Sequence, residues 1–190
     1  MDIKYNITKY KDNNVEEIKD LISVEEPLEM NLQFQKNGKW INENISITMR
    51  TPGHDEDLLA GFLFNERIIE DISEIDTIEK AGDKVGDYNI QNKIIAKINK
   101  SENVDINKLK RNFITNSSCG VCGKTSLDTV EIIKKEKLNL SFPKVKKNII
   151  MKSPDLLSKE QSEFSKTGGI HASCLIDESG NVIATREDVG

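Results

Sequence analysis

The sequence predicts an α+β fold with an α/β-like second part. A β-rich N-terminal subdomain is expected over residues 1–114, a flexible cysteine loop over 115–125, and the start of a second domain over 126–190. Three observations carry that expectation. Apolar and polar side chains alternate through much of the first half, which is the period of a half-buried strand. Later in the chain, helical spacing takes turns with short strands. Between the two regimes lies a small, polar, Gly-rich stretch from Thr115 to Ser126 that cannot pack a core and reads as a loop.

The elements follow in order. Residues 3–10 and 18–24 are mixed apolar and β-compatible. Leu28, Met30, Leu32 and Phe34 alternate with polar neighbours, which places four apolar side chains on one face of a strand. Asn37-Gly38 then supplies a tight hairpin turn, because both residues tolerate positive φ. The returning strand, roughly Lys39–Arg50, alternates through Ile45, Ile47 and Met49. A helix is expected next, capped by Thr51, with Pro52 at its first position and Asp55, Glu56 and Asp57 at the positive end of its dipole. Leu58, Leu59, Phe62, Leu63 and Ile69 recur at helical spacing and are expected to face a core. Segments 72–79 and 88–98 read as a strand pair around a turn at Gly82–Gly86.

Beyond the cysteine loop, a helix is expected from about Ser126, carrying Leu127, Val130 and Ile133 and ending at Lys134-Lys135. Another opens at Ser153 with Pro154 first, carries Leu156, Leu157 and Phe164, and ends near Thr167-Gly168-Gly169. Segments 171–177 and 181–186 read as strands joined through Glu178-Ser179-Gly180.

Composition excludes several classes of function. Among 190 residues, 27 Lys and Arg stand against 32 Asp and Glu, a net charge of −5. Duplex nucleic-acid binders carry a basic footprint that neutralises phosphates, so general nucleic-acid binding is disfavoured. No run approaches the roughly 18 apolar residues that a spanning helix needs, so no membrane association is expected. The N-terminus MDIKYNITKYKDN lacks the charged-then-apolar layout of an export signal, and a cytoplasmic location is the default.

Three cysteines, an odd number, argue against a disulfide framework. Cys119 and Cys122 are spaced Cys-x-x-Cys, each directly followed by glycine, which suits a loop that presents sulfur to another protein's active site. Thiolates attack sulfur and also bind metals, so two readings stay open. One is thiol-based transfer. The other is a zinc-stabilised binding module, in which Cys119, Cys122, His171 and Cys174 supply four ligands. A zinc nucleobase deaminase needs His-x-Glu followed later by Pro-Cys-x-x-Cys. Here Ser173 takes the place of that Glu and the cysteine pair precedes His171, so deaminase chemistry is not expected. His54 reads as a structural residue of the first helical turn, and Cys174 as a small buried hydrophobe.

Three blocks of the chain together resemble one family. SCGVCGK at Ser118–Lys124, RTPGHDEDLLAGFLFNERII at Arg50–Ile69 and TGGIHASCLIDESGNVIATREDVG at Thr167–Gly190 are similar to the FdhD family, sulfur carrier proteins required for formate dehydrogenase activity. The resemblance implies a sulfurtransferase that receives sulfur as a persulfide from a cysteine desulfurase and passes it to the molybdenum cofactor of formate dehydrogenase. By motif, Cys119 would hold the persulfide, and Cys122 would support transfer or act as a second acceptor. The family also binds the guanine dinucleotide form of the molybdenum cofactor. Thr167, Gly168, Gly169, His171, Arg186 and Asp188 are the candidates to contact it. The resemblance further implies a cytidine-deaminase-like second domain, a homodimer and no permanent cofactor.

Bland readings stand beside these. Gly168-Gly169 would terminate a helix, His171 would be a satisfied core residue, and Arg186-Glu187-Asp188 would form a local ion network. Two departures from the family are visible. The sequence stops at Gly190, where the family continues with a basic, His-containing extension, so a C-terminally truncated second domain is expected. Arg67 also occupies a place where the family often has Gly.

Overall fold

The computed structural model describes residues 1–99 and 144–189. The cysteine loop with Cys119 and Cys122, the helix expected from Ser126 and residues 100–114 lie outside the described residues. The chain divides into two compact units, Met1–Glu25 with Lys134–Gly190 and Glu26–Ile133. This grouping differs from the one read along the sequence. The first 25 residues belong with the C-terminal part, because their second strand packs on the helix Ser162–Thr167, where the Ser23 hydroxyl meets Thr167 Oγ1.

In the unit Glu26–Ile133, strands β3 (Glu26–Lys36), β4 (Lys39–Arg50), β5 (Ile75–Val85) and β6 (Ile90–Ile98) form one sheet in the order β4-β3-β6-β5. Two antiparallel hairpins, β3–β4 and β5–β6, are joined by parallel pairing of β3 with β6. The expected face of β3 is the core: Leu28, Met30, Leu32 and Phe34 are all buried, together with Ile94, Ala96 and Ile98 of β6. Helix α1 (Asp55–Asn65) contributes Leu59 and Leu63 to the same core, with Leu58 and Phe62 half-buried beside it. Asn37 and Gly38, at φ 51° and 72°, make the tight turn that the dipeptide announced.

Strand β4 departs from its expected pattern. Met30 pairs with Ser46 but Asn31 pairs with Asn44, so Ile45 is an extra residue in the ladder. Such a bulge reverses the alternation beyond it. Ile45 and Ser46 are both buried, whereas Ile47 and Met49 turn outward, 56% and 46% exposed. Arg50 is turned inward in their place.

Helix α1 also begins later than expected. Thr51–Gly53 form a turn, His54 is the cap residue without a side-chain capping bond, and the acidic first turn is Asp55-Glu56-Asp57. At its other end Arg67 adopts φ 56°. The Ile68 N–H donates to Leu63 O at 2.9 Å and the Arg67 N–H to Phe64 O at 3.0 Å, which together make a Schellman cap. The left-handed residue of that cap is ordinarily glycine, which accounts for the departure at Arg67. A short 3-10 turn, Ile72–Glu74, precedes β5. There Asp71 Oδ1 accepts from the Ser73 hydroxyl and N–H, and these bonds lower the Asp71 pKa.

In the other unit, β1 (Asp2–Lys11) and β2 (Asn14–Ser23) form a hairpin closed by Asp12 and Asn13, both at positive φ. Helices α2 (Lys147–Glu160) and α3 (Ser162–Thr167) precede the hairpin of β7 (His171–Ile176) and β8 (Val182–Asp188). The helix expected to open at Ser153 instead starts at Lys147, so Pro154 is internal. Proline cannot donate to the carbonyl four residues back. The Ser153 hydroxyl takes over that role, donating to Ile150 O at 2.8 Å. Among the described residues no helix is long and apolar enough to cross a membrane.

Candidate functional site

The candidates expected after the cysteine loop all fall on α3, the turn that ends it, and the β7–β8 hairpin. Helix α3 stops because Gly168 enters the left-handed region at φ 70°, and its N–H donates to Phe164 O at 2.7 Å. Thr167 is held from two sides. Its Oγ1 donates to Glu163 O at 2.9 Å and lies 3.0 Å from the Ser23 hydroxyl at the end of β2. Gly168 and Gly169 are exposed, and no heavy atom comes within 4 Å of where a Cβ would stand at either. The turn is therefore open on the side where a side chain would project.

Register then sorts the hairpin. His171 pairs with Asp188, Ala172 with Glu187, Ser173 with Arg186, and Cys174 with Thr185. Opposed residues of an antiparallel pair share a face, and successive residues alternate faces. His171, Ser173, Arg186 and Asp188 therefore lie on one face, where His171, Ser173 and Arg186 are exposed. Ala172, Cys174, Thr185 and Glu187 lie on the other and are half-buried. His171 is thus a surface residue rather than a core one. Arg186 donates from Nη1 to Thr185 O at 2.7 Å, and Asp188 Oδ1 accepts from the Val189 N–H at 2.7 Å. The face carries a cation, an imidazole and a carboxylate beside an open glycine turn, a set suited to an anionic ligand with polar edges.

The opposite face holds what sequence reasoning missed. Glu187 turns away from Arg186 and Asp188, so the triplet does not form one local ion network. Its Oε2 accepts from the Glu163 N–H at 2.9 Å and from the Ser162 hydroxyl at 3.4 Å, while Oε1 accepts from the Phe164 N–H at 2.8 Å. A carboxylate thereby caps the first turn of α3 from a neighbouring strand. The signal available in the sequence was strand parity: Glu187 alternates with the two residues that were singled out.

Parity also bears on the metal reading. His171 and Cys174 are three residues apart on a strand and project from opposite faces, so β7 cannot offer both to one tetrahedral ion. Cys174 accepts from the Thr185 hydroxyl at 3.5 Å and is half-buried. At the tip of the hairpin Asp177 accepts from the Asn181 amide and N–H and the Ser179 N–H, each at 2.8 Å, and those bonds lower its pKa.

In the other unit the polar feature is internal. Arg50 is 0% exposed and Asp55 3%. Arg50 Nε donates to Asp55 Oδ1 at 3.0 Å, and its terminal nitrogens reach Glu26 O at 3.3 Å and Gln91 O at 3.5 Å. One guanidinium ties α1 to β3, β4 and β6. His54, 3.9 Å from Asp57 across one helical turn, is exposed.

Comparison with known proteins supplies the lineage. The FdhD/NarQ family model matches residues 24–190. The sulfur carrier protein FdhD of Saccharolobus solfataricus is 35% identical over 188 residues, covering 98% of this chain and 64% of that protein. The sulfur carrier protein FdhD of Picrophilus torridus is 41% identical over 173 residues, covering 91% of this chain and 60% of that protein. The chain thus spans somewhat under two thirds of the length of these relatives. The crystal structure of a proposed formate dehydrogenase accessory protein from Desulfotalea psychrophila superposes with a TM-score of 0.60 at 17% identity, covering 100% of this chain and 63% of that one, and shares its fold. A match that runs from the end of β2 to the last residue, with relatives above the 30% range across nearly the whole chain, leaves one conclusion: the chain belongs to the FdhD/NarQ family.

Proposed function

We propose that this protein is a sulfur carrier in the maturation of formate dehydrogenase. Membership of a family whose relatives are sulfur carrier proteins is the observation that carries this reading. In the proposed reaction the Cys119 thiolate attacks the outer sulfur of a persulfide on a cysteine desulfurase. The donor's S–S bond breaks as the new one forms, and the donor cysteine leaves as a thiolate. The outer sulfur of the Cys119 persulfide then goes to the molybdenum cofactor destined for formate dehydrogenase, with Cys122 supporting transfer or serving as second acceptor. In the supporting role Cys122 attacks Cys119 Sγ, the S–S bond breaks and the outer sulfur leaves at the sulfide level, the two electrons coming from closure of a Cys119–Cys122 disulfide. As second acceptor Cys122 attacks the outer sulfur, and Cys119 leaves as a thiolate. This places the protein in the cytoplasm as a sulfurtransferase, working as a homodimer with the desulfurase and the dehydrogenase as partners.

The acceptor is substrate here, held in its guanine dinucleotide form. Thr167, Gly168 and Gly169 would offer an open backbone turn to a phosphate, Arg186 a guanidinium, and His171 and Asp188 polar edges. All of these except the turn stand on one face of the β7–β8 hairpin, and this shared placement supports grouping them. Helices α2 and α3 with β7 and β8 are read as part of a cytidine-deaminase-like scaffold that has lost deaminase chemistry.

Incubation with a cysteine desulfurase and cysteine, followed by mass spectrometry, tests the carrier role. One added sulfur atom is expected on the peptide containing Cys119, removable by mild reductant. A Cys119→Ala chain that loads and delivers sulfur as the unaltered chain does would refute it.

A further inference from the structure

Glu187 is half-buried between β8 and α3, and the reaction proposed above gives it no part. Its two carboxylate oxygens accept from three donors at the start of α3: the Ser162 hydroxyl and the Glu163 and Phe164 N–H groups. Gln161, at the cap position of this six-residue helix, makes no side-chain capping bond, so the cap comes from across the fold. A single residue then links the cap to the glycine turn. Glu187 holds the Phe164 N–H, and Phe164 O accepts the Gly168 N–H at 2.7 Å. Glu163 is held the same way, and Glu163 O accepts from Thr167 Oγ1 at 2.9 Å. The Glu163 carbonyl belongs to the peptide unit whose Phe164 N–H Glu187 holds, and the Phe164 carbonyl to the unit next to it, so both hydrogen bonds that fix the Thr167-Gly168 turn start from residues that Glu187 anchors. Because Arg186 and Asp188 flank Glu187 on the same strand, the strand that carries the outward-facing pair is the one that sets where the turn lies.

We propose that Glu187 is the positioning residue of the candidate site, fixing the Thr167–Gly169 turn relative to His171, Arg186 and Asp188 without touching the ligand. The part of this that concerns a nucleotide rests on the function proposed above. The positioning itself does not.

The test uses the full chain with GDP as probe, and reads amide hydrogen exchange together with calorimetric affinity. Glu187→Gln keeps the shape but puts an amide nitrogen against a backbone donor. In this variant the Glu163 and Phe164 amides are expected to exchange at least 10-fold faster, with the Gly168 amide following. GDP affinity is expected to fall about 10-fold, while circular dichroism and the exchange of β3 and β6 stay as they were. Glu187→Asp, which keeps the charge one methylene shorter, should recover part of both and is read in place of Glu187→Gln if that chain does not fold. Unchanged exchange at Glu163, Phe164 and Gly168 overturns the positioning role. Altered exchange with undiminished GDP affinity overturns its link to the ligand. An unaltered chain that does not bind GDP, but loses the three protections on substitution, counts against the nucleotide reading and upholds the positioning.

Discussion

Removing the Asp55 carboxylate is the sharpest test of how the unit Glu26–Ile133 is built. Arg50 and Asp55 are 0% and 3% exposed, with Nε and Oδ1 3.0 Å apart. At an effective dielectric constant of about 20, two unit charges at 3 Å attract by roughly 5 kcal/mol, against which the desolvation of both groups must be set. Asp55→Ala leaves the guanidinium buried with only carbonyl partners, Glu26 O and Gln91 O, so the cost is that of an uncompensated buried charge, about 3–5 kcal/mol. Lys80, 3.6 Å from Asp55 Oδ2 and 39% exposed, adds little in solvent. Asp55→Asn keeps an acceptor and should lose about half as much. Arg50→Met combined with Asp55→Leu, which empties the site of charge altogether, should come within about 1 kcal/mol of the original. Urea unfolding followed by the fluorescence of Trp40 is a suitable assay. It is the one tryptophan of the chain and lies on β4 of this unit, beneath the Lys97 ammonium at 4.6 Å. A loss below about 1 kcal/mol for Asp55→Ala would refute the claim that this pair anchors α1 to the sheet.

Further outcomes follow from single elements. Arg67→Gly should stabilise the same unit by about 0.5–1 kcal/mol in the Trp40 assay, because the left-handed conformation costs an L side chain more than glycine's extra chain entropy. Ser153→Ala should lower helix content by circular dichroism, and the loss should vanish in a Pro154→Ala background, where the restored N–H can serve Ile150 O. The Glu29 pKa is lowered chiefly by its bond with Lys93 and next by that with Asn31, so its stabilising effect is present at neutral pH and fades as pH falls through the carboxylate range. Lys93→Met should therefore cost no more than about 0.5 kcal/mol near pH 7, the pair being a third exposed, and nothing below that range. Chelation should leave the β7–β8 hairpin folded, since β7 points His171 and Cys174 apart. Zinc lost together with the fold, seen by elemental analysis and circular dichroism, would overturn that reading.

What the sequence made legible was whatever depends on local period and turn chemistry. Strict alternation from Leu28 to Phe34 identified the buried face of β3, and Asn37-Gly38 identified its turn. The second half of β4 was misread because a bulge has no local signature there: Ile45, Ile47 and Met49 alternate as a regular strand would. Pairing with β3 decides otherwise, and Arg50 goes inside against its own polarity because Asp55 waits five residues on. Helix starts were misplaced for a related reason. Pro52 and Pro154 were each read as first helical residues, yet one lies in the preceding turn and the other inside α2, where a neighbouring hydroxyl replaces its missing donor. The candidate site was legible as a list of residues but not as an arrangement, since only the β7–β8 register shows that His171, Arg186 and Asp188 share a face while Cys174 and Glu187 do not.

The motif blocks also divide into residues that hold the fold and residues left facing outward. In the Arg50–Ile69 block, Arg50, Asp55, Leu59, Leu63 and Ile69 are buried, and Arg67 closes the helix, so most of the block is accounted for by folding. In the Arg186-Glu187-Asp188 run the same logic gives a different result. The middle residue is accounted for by the cap on α3, whereas His171, Ser173 and Arg186 are exposed on the opposite face and take no part in that cap. An exposed group of mixed charge type beside an open glycine turn is where recognition is to be sought. Substitution should separate the two classes cleanly: Arg186→Ala should weaken binding of a guanine nucleotide by about 10-fold while leaving the protection of the Glu163 and Phe164 amides intact, the reverse of what a purely structural residue would do. If Arg186→Ala instead frees those amides and spares binding, the outward face is scaffold, and the nucleotide contact proposed for it is refuted.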